Sequence, residues 1–215
     1  MTGAGPIHVI HWGLVDYDEA RRRQLDLVER RAAGTIPDTL ILCEHPPVYT
    51  VGRRPEGPIP EGGAIPVRRI ERGGGVTYHG PGQIVGYPVI RVDRPGRGIR
   101  WLLSTMEASL AEVVESCGLR ARPHVEHTGV WASRDGTDWH KVASIGIAVR
   151  RWVSFHGFAL NVDMNLAPFR TIRPCGLEGG EIGSLRDLGW SGRRDALRIQ
   201  EAFTGIGWPL SSTAT

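Results

Sequence analysis

Lysine is nearly absent from this chain. Lys and Arg together number 26, and only Lys141 is lysine. A guanidinium stays protonated at any usable pH, whereas an ammonium can be made to give up its proton. The one position kept as lysine is therefore a candidate for a group that must titrate, with chance survival as the plain alternative. Cysteine is scarce too: Cys43, Cys117 and Cys175 are an odd number at unrelated spacings. That argues against a disulfide framework and for free thiols in a reducing cytoplasm. No apolar run approaches membrane-spanning length. The opening Met-Thr-Gly-Ala-Gly-Pro lacks the basic start and apolar segment of an export signal, so no membrane or secretory role is expected. A large excess of one charge is also missing. The net +3 suits acidic protein partners and is too small and dispersed to imply nucleic acid.

With 40% hydrophobic and 23% charged residues over 215 positions, the chain can bury a real core. No repeat, low-complexity tract or linker divides it, so residues 1–215 read as a single domain. Residues 7–14 look like an opening strand. Asp16 with Glu19 resembles a capping box ahead of a helix whose stripe is Leu25, Val28 and Ala32 and whose stop is Gly34. Arg21, Arg22, Arg23, Glu29 and Arg30 read as its solvated face. Residues 38–43 form a buried strand, with Cys43 as a core thiol. Pro46 and Pro47 then hold the chain extended. Residues 84–92 read as a strand. Leu102, Met106, Leu110, Val113 and Cys117 mark the best helix, 99–117, stopped by Gly118. Strands return at 130–132, 142–149 and 152–162, with a turn at Asp135-Gly136 that suggests a meander. Residues 168–185 read as loop, 195–203 as a last helix and 211–215 as a frayed tail. Strands come in groups with helices set apart, which predicts an α+β class.

The stretch Arg72-Gly73-Gly74-Gly75-Val76-Thr77-Tyr78-His79-Gly80-Pro81-Gly82-Gln83 suits no core element. It reads as a glycine-rich turn, a short strand and a second tight turn, placed where backbone must approach something closely. An ordinary surface loop has the same composition. Phosphate-loop readings fail: the only lysine follows His140, and a third glycine after Gly80 and Gly82 would have to stand at Val85. His124 with His127, and His8 with His11, lack a third ligand at matching spacing, so strand-edge or loop histidines are expected in place of metal. Cys175 differs from the other thiols. It lies between Pro174 and Gly176 with no apolar period to explain it as filler. A rigidly presented thiol can act as a nucleophile if a neighbour lowers its pKa, and Lys141 could do so and also move protons. Exposed unpaired thiols are often incidental, and residue chemistry leaves both readings open.

Several motifs taken together resemble the octanoyltransferase (lipoate-protein ligase B) family. They are Glu44-His45-Pro46-Pro47-Val48-Tyr49-Thr50-x-Gly52-Arg53, the stretch 72–83, Thr128-Gly129-Val130-Trp131, Lys141-Val142-Ala143-Ser144-Ile145-Gly146, His156-Gly157-Phe158-Ala159-Leu160-Asn161-Val162 and Pro174-Cys175-Gly176-Leu177. They follow in the family's order over about residues 14–185. Gly75 stands where relatives usually carry a larger residue. The resemblance implies a biotin/lipoyl protein ligase-like α+β fold, a mixed β-sheet flanked by helices. It also implies transfer of octanoyl from octanoyl-acyl carrier protein, through a thioester on Cys175, to a lysine of lipoyl domains. Those domains belong to 2-oxo-acid dehydrogenase complexes and the glycine cleavage H protein. Lys141 would form a dyad with Cys175 and act as acid and base. Arg72, Gly73, Gly74, Gly75, Val76, Thr77, Tyr78 and His79 would line the acyl pocket with Ser144-Ile145-Gly146 and Gly157-Phe158-Ala159. Backbone N–H groups of the glycines are candidates for holding the oxyanion. No cofactor, ATP or metal is implied, nor nucleic acid or membrane, and the chain is expected to act as a cytoplasmic monomer. Two alternatives compete: an ATP-dependent lipoate-protein ligase, which would not need Cys175, and a non-catalytic acyl-binding module.

Overall fold

The computed structural model describes residues 7–55, 57–174, 177, 179–194 and 197–205. In chain order the elements are β1 (His8–Leu14), α1 (Tyr17–Ala32), β2 (Thr39–Glu44), β3 (Val48–Val51), β4 (Val67–Arg69), β5 (Val76–His79) and β6 (Gln83–Val89). They continue with α2 (Ile99–Ser116), β7 (Arg120–Pro123), β8 (Gly129–Ser133), β9 (His140–Arg150), β10 (Val153–Asn161) and α3 (Ile199–Gly205). Seven strands form one sheet in the order β1-β2-β6-β10-β9-β8-β7, and β4-β3-β5 form a second, smaller one. Both are mixed: β1·β2 and β3·β4 are parallel, the other pairings antiparallel. The α+β class and the mixed sheet flanked by helices agree with the sequence.

Alternation along β2 shows why the large sheet is covered on both faces. Leu40 and Leu42 enter a core with Leu102, Met106 and Leu110 of α2 and Phe203 of α3. Ile41 and Cys43 enter another with Ala20, Leu27 and Val28 of α1. A strand apolar on both sides is stable only between two layers. A third cluster joins the small sheet, through Tyr49, Val51, Val76 and Tyr78, to Trp131, Phe169 and Ile182. The large and small sheets are thereby fixed against each other, and the candidate site lies where they meet.

Several expectations are corrected. The buried face of α1 is Tyr17, Ala20, Gln24, Leu27, Val28 and Arg31, offset from the Leu25–Ala32 stripe. Two of its members are polar and so invisible to a hydrophobic pattern: Gln24 accepts from the N–H of His156, and Arg31 pairs with buried Asp38. Asp16 does cap the helix, accepting from the N–H of Asp18 and Glu19. The Glu19 carboxylate turns outward to Arg22 and Arg23, so the box is not reciprocal. Arg21 leaves the solvated face to pair with Glu71. β7 was not anticipated, because Arg120–Pro123 has no apolar alternation. Within the expected loop, Ala167–Thr171 and Gly179–Glu181 form 3-10 turns. The last helix begins at Ile199; its expected start at Asp195, and the expected tail 211–215, lie outside the described residues. No helix among the described residues is long and apolar enough to cross a membrane.

Candidate active site

The glycine-rich segment 72–75 is held from two sides. The Gly73 N–H donates to the Ile147 carbonyl of β9 (3.0 Å), while the N–H groups of Gly52, Arg53 and Arg54 donate to the carbonyls of Gly75, Arg72 and Gly74 at 3.0–3.1 Å. Arg72 aims its guanidinium back at the Thr50 carbonyl (2.8 Å), the Thr50 hydroxyl (3.0 Å) and the Gly73 carbonyl (3.0 Å). This lamination needs glycine on both flanking strands. A Cβ on Gly52 would lie 2.3 Å from the Gly74 oxygen, and one on Gly146 would lie 3.1 Å from the Gly73 oxygen. The segment thus roofs β9 and β10 instead of hanging free.

Beneath that roof is a narrow pocket with about 550 Å³ of empty space, mouth included. Arg72, Gly73, Gly74, Thr77 and His79 line it from the roof. Ser144, Ile145 and Gly146 of β9 and Gly157, Phe158 and Ala159 of β10 line it from the sheet, where Ser144 pairs with Ala159, Ile145 with Phe158 and Gly146 with Gly157. The sequence-predicted segments therefore meet in one place. Three members do not line the pocket. Val76 and Tyr78 alternate with Thr77 and His79 along β5 and point instead into the cluster with Tyr49 and Phe169, and Gly75 contributes its carbonyl to the clamp described above. Tyr17, Val85, Tyr87 and His156 line the pocket and were not anticipated. Val85 and Tyr87 stand two apart on β6, so they share a face. That signal is readable only once β6 is known to border the pocket.

Lys141 lines the same pocket with 2% of its surface exposed. Its direction comes from a β-bulge. Along the β8·β9 ladder Val130 pairs with Ala143 and Trp131 with Lys141, leaving Val142 as an extra residue. Val142 and Ala143 both enter the large core, and Lys141 is returned to the face of Ser144. Gly129, at φ +135°, leaves room for the stem: a Cβ there would sit 2.9 Å from Cε of Lys141 and 2.2 Å from the Ala143 oxygen. Pro174 lines the pocket as well. Cys175 itself lies outside the described residues; Leu177 is buried and donates its N–H to the Pro174 carbonyl at 3.2 Å. Cys43 is a core thiol as expected, pushed up to about 12 by burial. Cys117 is half-buried at the end of α2, its thiol donating to the Val113 carbonyl.

The far end of the pocket is lined by aromatic and imidazole rings. Burial drives His79 down to about 3 and His156 down to about 4, so both rings are neutral near pH 7. His79 Nδ1–H donates to Gln83 (2.7 Å), and Gln83 in turn donates to Asn161 (2.9 Å), which donates to the Gly183 carbonyl (3.0 Å). Gly183 donates its N–H to the Lys141 carbonyl (3.1 Å). One hydrogen-bonded chain therefore orients both the His-Gly-Pro-Gly-Gln turn and the strand that carries Lys141. His45, fully buried, donates Nδ1–H to the Val15 carbonyl (2.7 Å) and accepts from the Tyr87 hydroxyl (2.6 Å). Glu71, held down to about 2 by Arg21, lies 3.4 Å from Nε2 of His156. Among the described residues no three His, Cys, Asp or Glu side chains group as metal ligands. His124 and His127 lie tilted against each other and against Trp131, with centroids 5.1–6.4 Å apart.

Residues 16–201 match the lipoyl protein ligase A/B catalytic domain family. The octanoyltransferase of Geotalea uraniireducens is 49% identical over 180 residues, covering 83% of this chain and 81% of that one. The chain belongs to the octanoyltransferase family. The Geobacter sulfurreducens octanoyltransferase is 41% identical over 205 residues, 94% of this chain and 83% of the other. Among solved structures, a bipartite lipoate protein ligase from Thermoplasma acidophilum superposes with a TM-score of 0.67, covering 93% of this chain and 81% of that one. At 16% identity it speaks to the fold alone. For an octanoyltransferase-family chain, the residues that sequence reasoning missed are the ones that close the pocket. Tyr17 and Tyr87 arrive from α1 and β6, outside the glycine-rich and strand motifs that point to the site.

Proposed function

We propose that this chain moves an octanoyl group from an acyl carrier protein, through a thioester on Cys175, to a lysine amine on lipoyl domains. One observation carries the reading: the chain's lone lysine is buried in a pocket that Pro174, the neighbour of Cys175, also lines. In the first step the Cys175 thiol gives its proton to Lys141 and the sulfur attacks the thioester carbonyl. The carrier's C–S bond breaks, and the departing thiolate takes the proton back from Lys141. In the second step the acceptor amine attacks the acyl-enzyme, its proton passes to Lys141, and the Cys175 sulfur leaves and is reprotonated. Thioester exchange is near neutral and amide formation runs downhill, so the incoming acyl group needs no further activation. Val85 and Ala159 supply apolar wall for the alkyl chain, while Ile145 and Phe158 border the pocket but turn their side chains into the large core, the Phe158 ring stacked on Phe203. The Gly73 N–H is committed to Ile147 and is not an oxyanion donor.

The relatives above 40% identity are named octanoyltransferases, whereas ligases resemble this chain at 16–17%. The ATP-dependent reading is therefore the weaker one. A non-catalytic module would have no use for a buried lysine in a pocket that Pro174, the residue before Cys175, also lines. Incubating the chain with octanoyl-carrier protein without ATP, followed by intact-mass analysis, should show one octanoyl group added and then lost on addition of lipoyl domain. Equal labelling of Cys175→Ala would remove the nucleophile assignment, and a need for ATP would favour the ligase. Lys141→Arg keeps the charge but cannot shuttle the proton; near-normal turnover would rule out its acid–base role.

A further inference from the structure

We propose that His156 is a positioning residue: a left-handed backbone turns its ring toward α1, where with Arg21 it holds Glu71 and so seats the glycine-rich roof on the large sheet. Along β10, Phe155 and Ala159 face α1, while Phe158 and Leu160 enter the core with α2. By that alternation residue 156 belongs on the side of Phe158. Its ring lies instead beside Phe155, with centroids 4.7 Å apart, and against Tyr17 of α1. The backbone makes the difference. His156 has φ +56°, the left-handed region, although its pairing with Ile147 keeps the register of its neighbours. The β6·β10 ladder runs from Asn161↔Gln83 to Phe158↔Gly86. Two residues further it would set His156 opposite Pro88, which has no N–H to offer. The His156 N–H turns to Oε1 of Gln24 on α1, 2.9 Å away. A non-glycine residue in this region is strained and persists only where its surroundings impose the conformation.

What the turned backbone delivers is a link to the roof. Nε2–H of His156 donates to Oε2 of Glu71 at 3.4 Å, and Nδ1 accepts from the Tyr17 hydroxyl at 3.5 Å. Arg21 of α1 closes on the same carboxylate through Nε (3.1 Å) and Nη2, one nitrogen to each oxygen. Glu71 directly precedes Arg72, where the roof begins. The N–H groups of Gly52, Arg53 and Arg54 bind the roof to the small-sheet side, and the Gly73 N–H reaches across to Ile147 of β9. Glu71 adds an anchor on α1 and β10, at the end of the roof that the Gly73 bond does not hold. Hydrogen bonds to an ionised partner are the stronger kind, so this anchor is suited to fix where the roof sits.

Two substitutions separate this role from a merely structural one. Asparagine tolerates the left-handed region better than other side chains but is too short to reach Glu71. Glutamine suits that region less well yet places an amide N–H near the position of Nε2. The readout is hydrogen exchange of the 72–75 amides, followed by NMR and taken as a ratio to exchange in α2 so that global stability cancels. His156→Asn should raise that ratio about tenfold, and His156→Gln should leave it within about threefold of wild type. Glu71→Gln should raise it too, and His156→Asn on top of Glu71→Gln should add less than about twofold, because both act through one link. If asparagine protects the roof as well as glutamine does, or if the two changes add in full, the inference is overturned. In the unsubstituted protein the imidazole nitrogen shifts should show His156 protonated at Nε2. A proton on Nδ1 would leave no donor for Glu71 and would overturn the inference however the variants fold. The consequence for turnover rests on the transferase reading: His156→Asn should raise KM for the octanoyl donor more than it lowers kcat. An unchanged KM beside a loosened roof would remove the role in the reaction. A wild type that transfers no octanoyl overturns the transferase reading instead, and the exchange ratio still decides the anchor.

Discussion

Gly129→Ala isolates the placement of Lys141 from its chemistry. Gly129 has φ +135°, and a Cβ there would lie 2.2 Å from the Ala143 oxygen and 2.9 Å from Cε of Lys141. The first contact is to backbone, so the β8·β9 ladder must open by about 1 Å to reach ordinary van der Waals distance. Holding alanine in this region of φ costs about 1–3 kcal/mol. The effect on turnover should be larger than that loss of stability suggests, because displacing a reacting group by about 1 Å can cost on the order of 10²-fold. Gly118→Ala is the control. Gly118 is also left-handed (φ +78°) but has nothing within 4 Å of the added methyl, so it should cost about 1–2 kcal/mol and leave turnover intact. The assay is urea denaturation for stability beside octanoyl transfer per folded molecule. If the two alanine variants transfer equally well, the glycine is not there for the lysine stem and the reasoning fails.

Two further outcomes follow from buried charge. His79 and His156 are depressed in the folded state from about 6.5 to about 3 and about 4, chiefly by burial. Below pH 6.5 the unfolded chain binds protons that the folded chain refuses, so stability is full above that pH and falls on acidification through about pH 4, by up to about 1.4 kcal/mol per pH unit for each histidine. Urea midpoints at pH 7.5 and 5 check this, and a flat profile would mean that the rings are not held neutral. Asp38 accepts from Arg31 (2.6 Å) and Arg97 (3.3 Å) with all three side chains about 8% exposed, and none of the three lines the pocket. Asp38→Asn should destabilise by about 3–5 kcal/mol by leaving the guanidiniums without their counter-charge, with transfer per folded molecule unchanged; a loss below about 1 kcal/mol would contradict it.

What could be read from the sequence divides along physical lines. The strands with apolar residues in 2-period and the α2 stripe announced themselves, because burial on a defined face leaves a period. The α1 face did not, since Gln24 and Arg31 are buried through specific partners and not through hydrophobicity. β7 satisfies its backbone at a sheet edge with Arg120 and Arg122 outward, and nothing in its composition separates it from loop. The motif segments of the site were legible because close backbone approach demands glycine. Within them, side-chain facing was not: Thr77 and His79 enter the pocket while Val76 and Tyr78 turn away, a fact of sheet alternation that a motif read as a block does not resolve.

Lys141 shows the limit most clearly, because composition singled it out while periodicity would have misplaced it. In an unbroken ladder from Ser144, residues 144 and 142 would share the pocket face, and position 141 would fall in the core with Ala143. There an ammonium would lie among the apolar side chains of Val130, Ala132 and Leu160. The extra residue at Val142 reverses that assignment, sending two apolar side chains to the core in succession and the amine to the pocket. A bulge leaves no mark in the sequence, since Lys-Val-Ala-Ser alternates as well with it as without it. The direction of the Lys141 amine is thus set by a one-residue irregularity in strand pairing, and the glycine at position 129 is the part of that device the sequence does display.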